Sequence, residues 1–139
     1  MLKNFSLLQK SVRLLALSKS RLQFFGKKIN VTFIDRRGEN VEVKARPGDS
    51  ILDTVIDNEI ETEGYGICGG GIACSTCHII LEDTVFDKTL VEDPWGEEEC
   101  DMLDNAPNVT DFSRLGCCVH FTKELEGITI TIPEGQDMR

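Results

Sequence analysis

Three cysteines lie within ten residues near the middle of the chain, and a fourth lies far downstream. Cys68, Cys74 and Cys77 have the spacing C-x5-C-x2-C, and Cys117 follows after a long interval. Three clustered thiols plus one distant thiol are typical of a [2Fe–2S] cluster, because such a cluster binds four thiolates, two on each iron. The spacing therefore predicts a cluster that is held by one loop and completed by a remote turn.

Three consecutive glycines, Gly69, Gly70 and Gly71, lie between the first two cysteines. A cluster of this kind is an anion that becomes more negative on reduction, so it needs positive partial charge that brings no proton with it. Backbone N–H groups supply that charge when a loop curls tightly enough to point them inward as a nest. Glycine permits such a curl because it has no Cβ. We therefore expect these glycines to surround the cluster.

Zinc and disulfide bonds are the alternatives for these cysteines. Structural zinc sites usually contain pairs spaced C-x2–4-C, and only Cys74 and Cys77 form such a pair. An even number of cysteines indicates disulfides mainly in short secreted chains. The spacing favours the cluster, and a zinc-stabilised interaction module with an acidic docking helix stays open as the alternative.

The motif Cys-x5-Cys-x2-Cys-His at residues 68–78, followed by Arg-Leu-Gly-Cys at residues 114–117, resembles the adrenodoxin-type [2Fe–2S] ferredoxins of mitochondria and bacteria. The resemblance covers the chain from about residue 29 to about residue 133. It implies an α+β protein with the β-grasp ferredoxin fold, in which a mixed sheet and one main helix support a cluster-binding loop. It also implies one bound [2Fe–2S] cluster.

The resemblance implies four cluster ligands, namely Cys68, Cys74, Cys77 and Cys117. Cys118, which directly follows the fourth ligand, and Cys100 are expected to be free thiols. Consecutive residues of a strand point to opposite faces, so two adjacent cysteines should not both reach one iron.

His78 directly follows the third ligand. A Rieske-type centre would need two histidines on one iron, and the chain contains only His78 and His120. We therefore expect the His78 imidazole to bridge the cysteine loop to the body of the domain through a hydrogen bond. Thr76 and Arg114 also match the family motif, and they are expected to contribute hydrogen bonds around the cluster.

Carboxylates are concentrated in residues 97–106, which are predicted to form a helix with Met102, Leu103 and Ala106 on one side. The helix dipole stabilises the acids in its first turns. Such a run is most often a solvated helix face, and its functional alternative is a docking surface for a basic partner. The resemblance favours docking and implies four partner-binding residues, namely Glu98, Glu99, Asp101 and Asp104.

The function that the resemblance implies is one-electron transfer. Its implied partners are an NADPH-dependent flavoprotein reductase as donor and, as acceptors, mitochondrial cytochromes P450 or the iron–sulfur assembly machinery. Enzymatic activity is not expected, because the sequence contains no second redox site and no phosphate-binding G-x-x-x-x-G-K motif. A nucleic-acid partner is not expected, and no apolar run approaches the length of a membrane span. A cluster that acts as a sensor or assembly intermediate is a further alternative.

The charge distribution divides the chain in two. Residues 1–34 contain seven Lys or Arg and no acid, whereas residues 35–139 contain all 24 acids. A basic, acid-free N-terminus with interspersed Leu, Phe and Ser is typical of a mitochondrial transit peptide. Together with the resemblance, this predicts a transit peptide over residues 1–28 and a location in the mitochondrial matrix. The ferredoxin domain is predicted over residues 29–133, with a short C-terminal tail over residues 134–139.

The strands that must position the cysteines follow from hydrophobic periodicity. Alternating, β-branched residues predict a strand over residues 29–34, and a turn at Gly38 leads to a returning strand near residues 41–43. Further strands are predicted at residues 79–81 and 128–132. Periodicity alone leaves their order in the sheet open.

One helix is predicted between the first hairpin and the cysteine loop. Ser50 is its expected N-cap, with an acid, Asp53, three residues further on. Its predicted buried stripe consists of Ile51, Leu52, Val55 and Ile56.

Overall fold

The structure is a computed structural model that describes residues 27–60 and 64–134 of the 139-residue chain. Most of the predicted transit peptide and nearly all of the predicted tail lie outside these residues. The first described strand begins at Ile29, and Ile132, near the C-terminal end of the described residues, is buried.

Five strands and three α-helices form the described part of the chain. The strands are β1 (Ile29–Ile34), β2 (Asn40–Ala45), β3 (His78–Leu81), β4 (Ser113–Leu115) and β5 (Thr129–Thr131). The helices are α1 (Ile51–Asp57), α2 (Asp83–Glu92) and α3 (Glu97–Leu103), with a short 3₁₀ turn over Lys123–Leu125.

The strands form one mixed sheet in the order β2-β1-β5-β3-β4. β1 pairs with β5 in parallel, and the other pairs are antiparallel. The central strand β5 contributes Ile130, which is fully buried beside Phe33 of β1 in the core. The α+β class and the β-grasp architecture expected from the sequence are confirmed.

The hairpin between β1 and β2 is fixed by its own turn residues. The Asp35 carboxylate accepts hydrogen bonds from the backbone N–H groups of Arg37 (2.9 Å) and Glu39 (2.8 Å). Gly38 has a φ of +83°, a conformation that glycine adopts at no steric cost. The predicted strand–turn–strand unit is therefore confirmed.

Helix α1 begins as predicted but buries a different set of residues. The Ser50 hydroxyl accepts a hydrogen bond from the Asp53 N–H at 3.0 Å, which confirms the N-cap. The prediction for Ile56 was wrong, because its side chain is 47% exposed and Thr54 is buried instead. At about 100° per residue, Thr54 lies closer than Ile56 to the face that is centred on Ile51 and Val55.

Helix α2 was not predicted, although its sequence carries a weak signal. Val85, Phe86 and Thr89 are buried and have the i, i+1, i+4 spacing of one helix face. The predicted acidic helix exists as α3, but it ends at Leu103 and is capped by Asp104. Helix α3 contacts β4, the strand that leads to Cys117.

Candidate metal centre

The cysteine loop spans residues 64–77 between α1 and β3, and its end is hydrogen-bonded to the turn after β4 and to the start of the loop itself. The Cys77 carbonyl accepts hydrogen bonds from the Gly116 N–H (2.8 Å) and the Tyr65 hydroxyl (3.2 Å). The Gly116 carbonyl in turn accepts a hydrogen bond from the Leu52 N–H at 3.0 Å. These bonds bring Cys117, directly after Gly116, next to the loop that carries the other three thiols.

Glycines shape this loop at particular positions. Gly69 and Gly70 have φ values of +66° and +94°, in the left-handed region that favours glycine. Gly71 does not lie in that region, and a Cβ there would make only an ordinary 3.6 Å contact with the Cys68 carbonyl. The curl therefore depends on the first two glycines of the run.

The four predicted ligand thiols come together as two interacting pairs. The Cys74 side chain helps to lower the pKa of Cys68, and the Cys117 side chain raises the pKa of Cys77, so the four thiols interact as two pairs. The two pairs are close enough for Cys74 and Cys77 to interact electrostatically. Two pairs of thiols fit a cluster that takes two thiolates on each iron. Among residues 27–60 and 64–134, no three His, Cys, Asp or Glu side chains group around a single metal position.

The backbone of the loop favours negative charge on the Cys68 sulfur. Burial raises the pKa of the Cys68 thiol, but hydrogen bonds from the Ala73 backbone, the Cys74 thiol and the Gly70 and Gly71 backbones outweigh it and lower the pKa to about 7. The loop therefore stabilises negative charge on sulfur, which is the property that a nest of N–H donors provides.

In the second pair, the pKa values of Cys77 and Cys117 shift in opposite directions. Hydrogen bonds from the Cys118 and Cys77 thiols, helped by the Ile72 N–H, lower the pKa of Cys117 to about 3. The hydrogen bond to Cys117 and burial raise the pKa of Cys77. Within this pair the negative charge is therefore favoured on Cys117.

The Thr76 hydroxyl connects two parts of the cysteine loop. It accepts a hydrogen bond from the Ile67 N–H at 3.0 Å and lies 2.9 Å from the Cys74 sulfur. One side chain thus joins the residue before Cys68 to the second cysteine of the same pair.

The His78 imidazole lies at the start of β3 and bridges to β4. Its Nε2 is 2.7 Å from the Ser113 hydroxyl, which also accepts the Thr110 N–H at 2.8 Å. Burial lowers the pKa of His78, so the ring is held in its neutral form. The bridge links the residue after Cys77 to the strand that leads to Cys117.

The adjacent Cys118 does not point away from Cys117. Their sulfurs are 3.8 Å apart, so the argument from opposite strand faces was wrong. The two residues lie beyond β4 in a turn, where the Cys118 N–H donates to the Leu115 carbonyl at 3.0 Å. The hydrogen bond to Cys117, burial and the Glu99 charge all raise the pKa of Cys118, so the thiolate is favoured at Cys117.

Arg114 and Glu99 have roles other than those expected. The Arg114 guanidinium is fully buried and donates from Nε to Glu99 Oε1 at 2.7 Å and from Nη2 to Glu99 Oε2 at 3.0 Å. It also donates to the Asp93 carbonyl and the Thr89 hydroxyl. These hydrogen bonds go to α2, α3 and their connection, and none of them reaches the cysteine loop.

The assignment of Glu99 to partner binding is therefore corrected. Glu99 is only 2% exposed, and its carboxylate also accepts the Leu115 N–H at 3.0 Å. The sequence held a signal for this burial, because Glu99 lies one helical turn before the buried Leu103. Glu98, Asp101 and Asp104 are exposed.

Comparison with known sequences places this site in a family. A profile described as "2Fe-2S iron-sulfur cluster binding domain" matches residues 34–122. The chain is 46% identical over 107 residues to a mitochondrial adrenodoxin of Gallus gallus, which covers 77% of this chain and 73% of that protein. It is 41% identical over 105 residues to the mitochondrial adrenodoxin-like protein 2 of Drosophila melanogaster, covering 76% and 68%.

Solved structures with the same fold include bacterial ferredoxins. A ferredoxin from Rhodopseudomonas palustris HaA2 matches with a TM-score of 0.69 and 32% identity, covering 77% of this chain and 98% of that one. Putidaredoxin in a covalent complex with putidaredoxin reductase matches with a TM-score of 0.67 and 29% identity, covering 76% and 98%.

Fold, thiol pairs and family profile together define a [2Fe–2S] ferredoxin domain, whose cofactor is one [2Fe–2S] cluster. Within that class, the chain belongs to the adrenodoxin-type ferredoxins, which are electron carriers. The expected family is confirmed, and the zinc module is set aside. The relatives are named as mitochondrial proteins, which suggests the same compartment here. No helix within the described ranges is long and apolar enough to cross a bilayer.

Proposed function

We propose that Cys68 and Cys74 bind one iron of the cluster and that Cys77 and Cys117 bind the other. The observation that supports this assignment is the interaction of the four thiols in two pairs, Cys68 with Cys74 and Cys77 with Cys117. The cluster, when bound, supplies one-electron reduction and oxidation. The N–H groups of Gly70, Gly71 and Ala73 stabilise its negative charge without giving up a proton.

The proposed role is that of a carrier with no catalytic activity of its own. Cys68, Cys74 and Cys117 are only half-buried, so the sulfurs lie near the surface where another protein can approach them. Thr76 keeps the loop in shape, and His78 fixes it to the sheet. The chain therefore holds the cluster still while electrons enter and leave.

We further propose the direction of electron flow. The donor is an NADPH-dependent flavoprotein reductase, and the acceptors are mitochondrial cytochromes P450 or the iron–sulfur assembly machinery. Support for a reductase comes from the solved complex of the related putidaredoxin with its reductase. The docking residues are the exposed acids Glu98, Asp101 and Asp104 on and just after α3.

The proposed location is the mitochondrial matrix, with residues 1–28 as the transit peptide, residues 29–133 as the functional domain and residues 134–139 as a tail. The basic, acid-free N-terminus supports this. Fusing residues 1–28 to a fluorescent protein tests it, because a fusion that stays in the cytosol would contradict the proposal.

Cluster content in single cysteine variants tests the ligand assignment. Purified wild-type protein should contain two irons and two sulfides and should absorb visible light until dithionite bleaches it. Cys117→Ser should lose the stable native cluster, whereas the matched variants Cys118→Ser and Cys100→Ser should keep it. A native cluster in Cys117→Ser together with its loss in Cys118→Ser would overturn the ligand set, and a colourless protein with one zinc would overturn the function.

A further inference from the structure

The Cys118 thiol lies beside the proposed cluster ligand Cys117, and the proposed function gives Cys118 no role. Its Sγ lies 3.8 Å from the Cys117 Sγ, and both side chains are half-buried. That separation allows a hydrogen bond between the two sulfurs, because a thiol is a weak donor and sulfur is a weak acceptor. The hydrogen bond from the Cys118 N–H to the Leu115 carbonyl holds the turn that creates this contact.

The direction of this hydrogen bond follows from ligation. A cysteine binds iron as a thiolate and carries no proton in that state. Once Cys117 is bound, it can only accept, and Cys118 must be the donor.

We infer that the Cys118 S–H donates a hydrogen bond to the Cys117 thiolate and thereby raises the reduction potential of the cluster. The inference rests on the proposed ligation by Cys117. Hydrogen bonds to cluster sulfurs are one of the factors that set the potential of an iron–sulfur protein. The one electron gained on reduction makes the cluster more negative, so a donor at the Cys117 sulfur stabilises the reduced state more than the oxidised state.

Potentiometric titration of the full chain with redox dyes tests the inference. At the wild-type midpoint potential, the ratio of reduced to oxidised protein should fall about threefold to tenfold in Cys118→Ala, where tenfold corresponds to 59 mV for one electron. Cys118→Ser keeps a hydrogen-bond donor at the same position, so its ratio of reduced to oxidised protein should lie close to that of the wild type. Cys100→Ala, which removes the free thiol on α3, should leave it unchanged.

Resonance Raman spectra in H₂O and D₂O provide a second test. A purely structural role of Cys118 would not change the deuterium shift of the spectrum. The iron–thiolate stretching bands of the wild type should shift on deuteration, and part of that shift should be absent in Cys118→Ala. If Cys118→Ala does not fold, the wild type and Cys118→Ser still carry the test, because a wild type without a deuterium shift overturns the hydrogen bond.

The outcomes separate this inference from the proposed function. A Cys118→Ala protein with a complete cluster and an unchanged potential overturns the inference and leaves the ligand assignment intact. Loss of the cluster from both Cys118 variants, together with its retention in Cys117→Ser, overturns both, because Cys118 would then be the ligand.

Discussion

Gly66 shows how a single backbone position shapes the cysteine loop. Its φ is +66°, and a Cβ built there would lie 2.4 Å from Leu52 Cδ1 in the core. Leu52 belongs to α1, and its N–H binds the Gly116 carbonyl next to Cys117. The close approach therefore joins the start of the loop to the helix that supports its distant ligand.

Gly66→Ala is accordingly expected to destabilise the protein more than Gly38→Ala. Both glycines have positive φ, but a Cβ at Gly38 meets nothing within 4 Å. Gly38→Ala should cost only the left-handed backbone penalty of about 1–2 kcal/mol, whereas Gly66→Ala should cost about 1–3 kcal/mol more because Leu52 must move in a packed core. Urea unfolding of the two variants measures the difference. Equal costs would mean that Leu52 relocates freely.

At the scale of elements, the Glu99–Arg114 ion pair joins α3 to β4. Neither side chain is exposed by more than 2%, and Arg114 also reaches the α2–α3 connection through the Asp93 carbonyl. Because α3 carries the proposed docking acids and β4 leads to Cys117, this pair fixes the docking helix relative to the metal centre.

Removing one partner of this pair should be strongly destabilising. Glu99→Ala leaves the buried Arg114 guanidinium without a counter-charge and the Leu115 N–H without an acceptor, and it should cost about 3–5 kcal/mol of unfolding free energy. Glu98→Ala, one position earlier and exposed, should change stability by no more than about 0.5 kcal/mol. Thermal unfolding of both holoproteins provides the comparison. If Glu99→Ala lost as little stability as Glu98→Ala, the Arg114 guanidinium would have to move into contact with water.

Local signals in the sequence predicted much of the structure, and contacts between distant elements explain the rest. Cysteine spacing, the Ser50 cap and the Gly38 turn are short-range features, so they could be read directly. The burial of Glu99 depends on Arg114, fifteen residues away. The buried face of α2 includes the polar residue Thr89, whose hydroxyl accepts a hydrogen bond from Arg114 Nη1 at 3.3 Å.

At the scale of the whole molecule, negative charge is spread over the domain and not confined to α3. Residues 35–139 contain 24 acids and eight Lys or Arg. A protein with this charge attracts any basic surface from a distance, so the specific contribution of α3 must be separated from the general field.

Matched pairs of charge-neutral variants make that separation in a reductase assay. Asp101→Asn with Asp104→Asn removes one charge from α3 and one from its C-cap. Glu39→Gln with Glu42→Gln removes two exposed charges from the hairpin. The strand order puts β2, which carries Glu42, at the edge of the sheet opposite β4, the strand that α3 contacts.

The α3 double variant should raise the KM for the ferredoxin about threefold or more at low salt, when an adrenodoxin-type reductase is driven by NADPH. At 1 M salt the Debye length falls to about 3 Å, so the difference from wild type should nearly vanish. The hairpin variant should change KM much less at either salt concentration, since it alters only the general field. Equal effects of the two variants would mean that net charge alone governs the encounter, and no effect of either would make α3 an ordinary solvated helix face. The cluster potential, measured in parallel, should stay the same in both, because neither variant touches the cysteine loop.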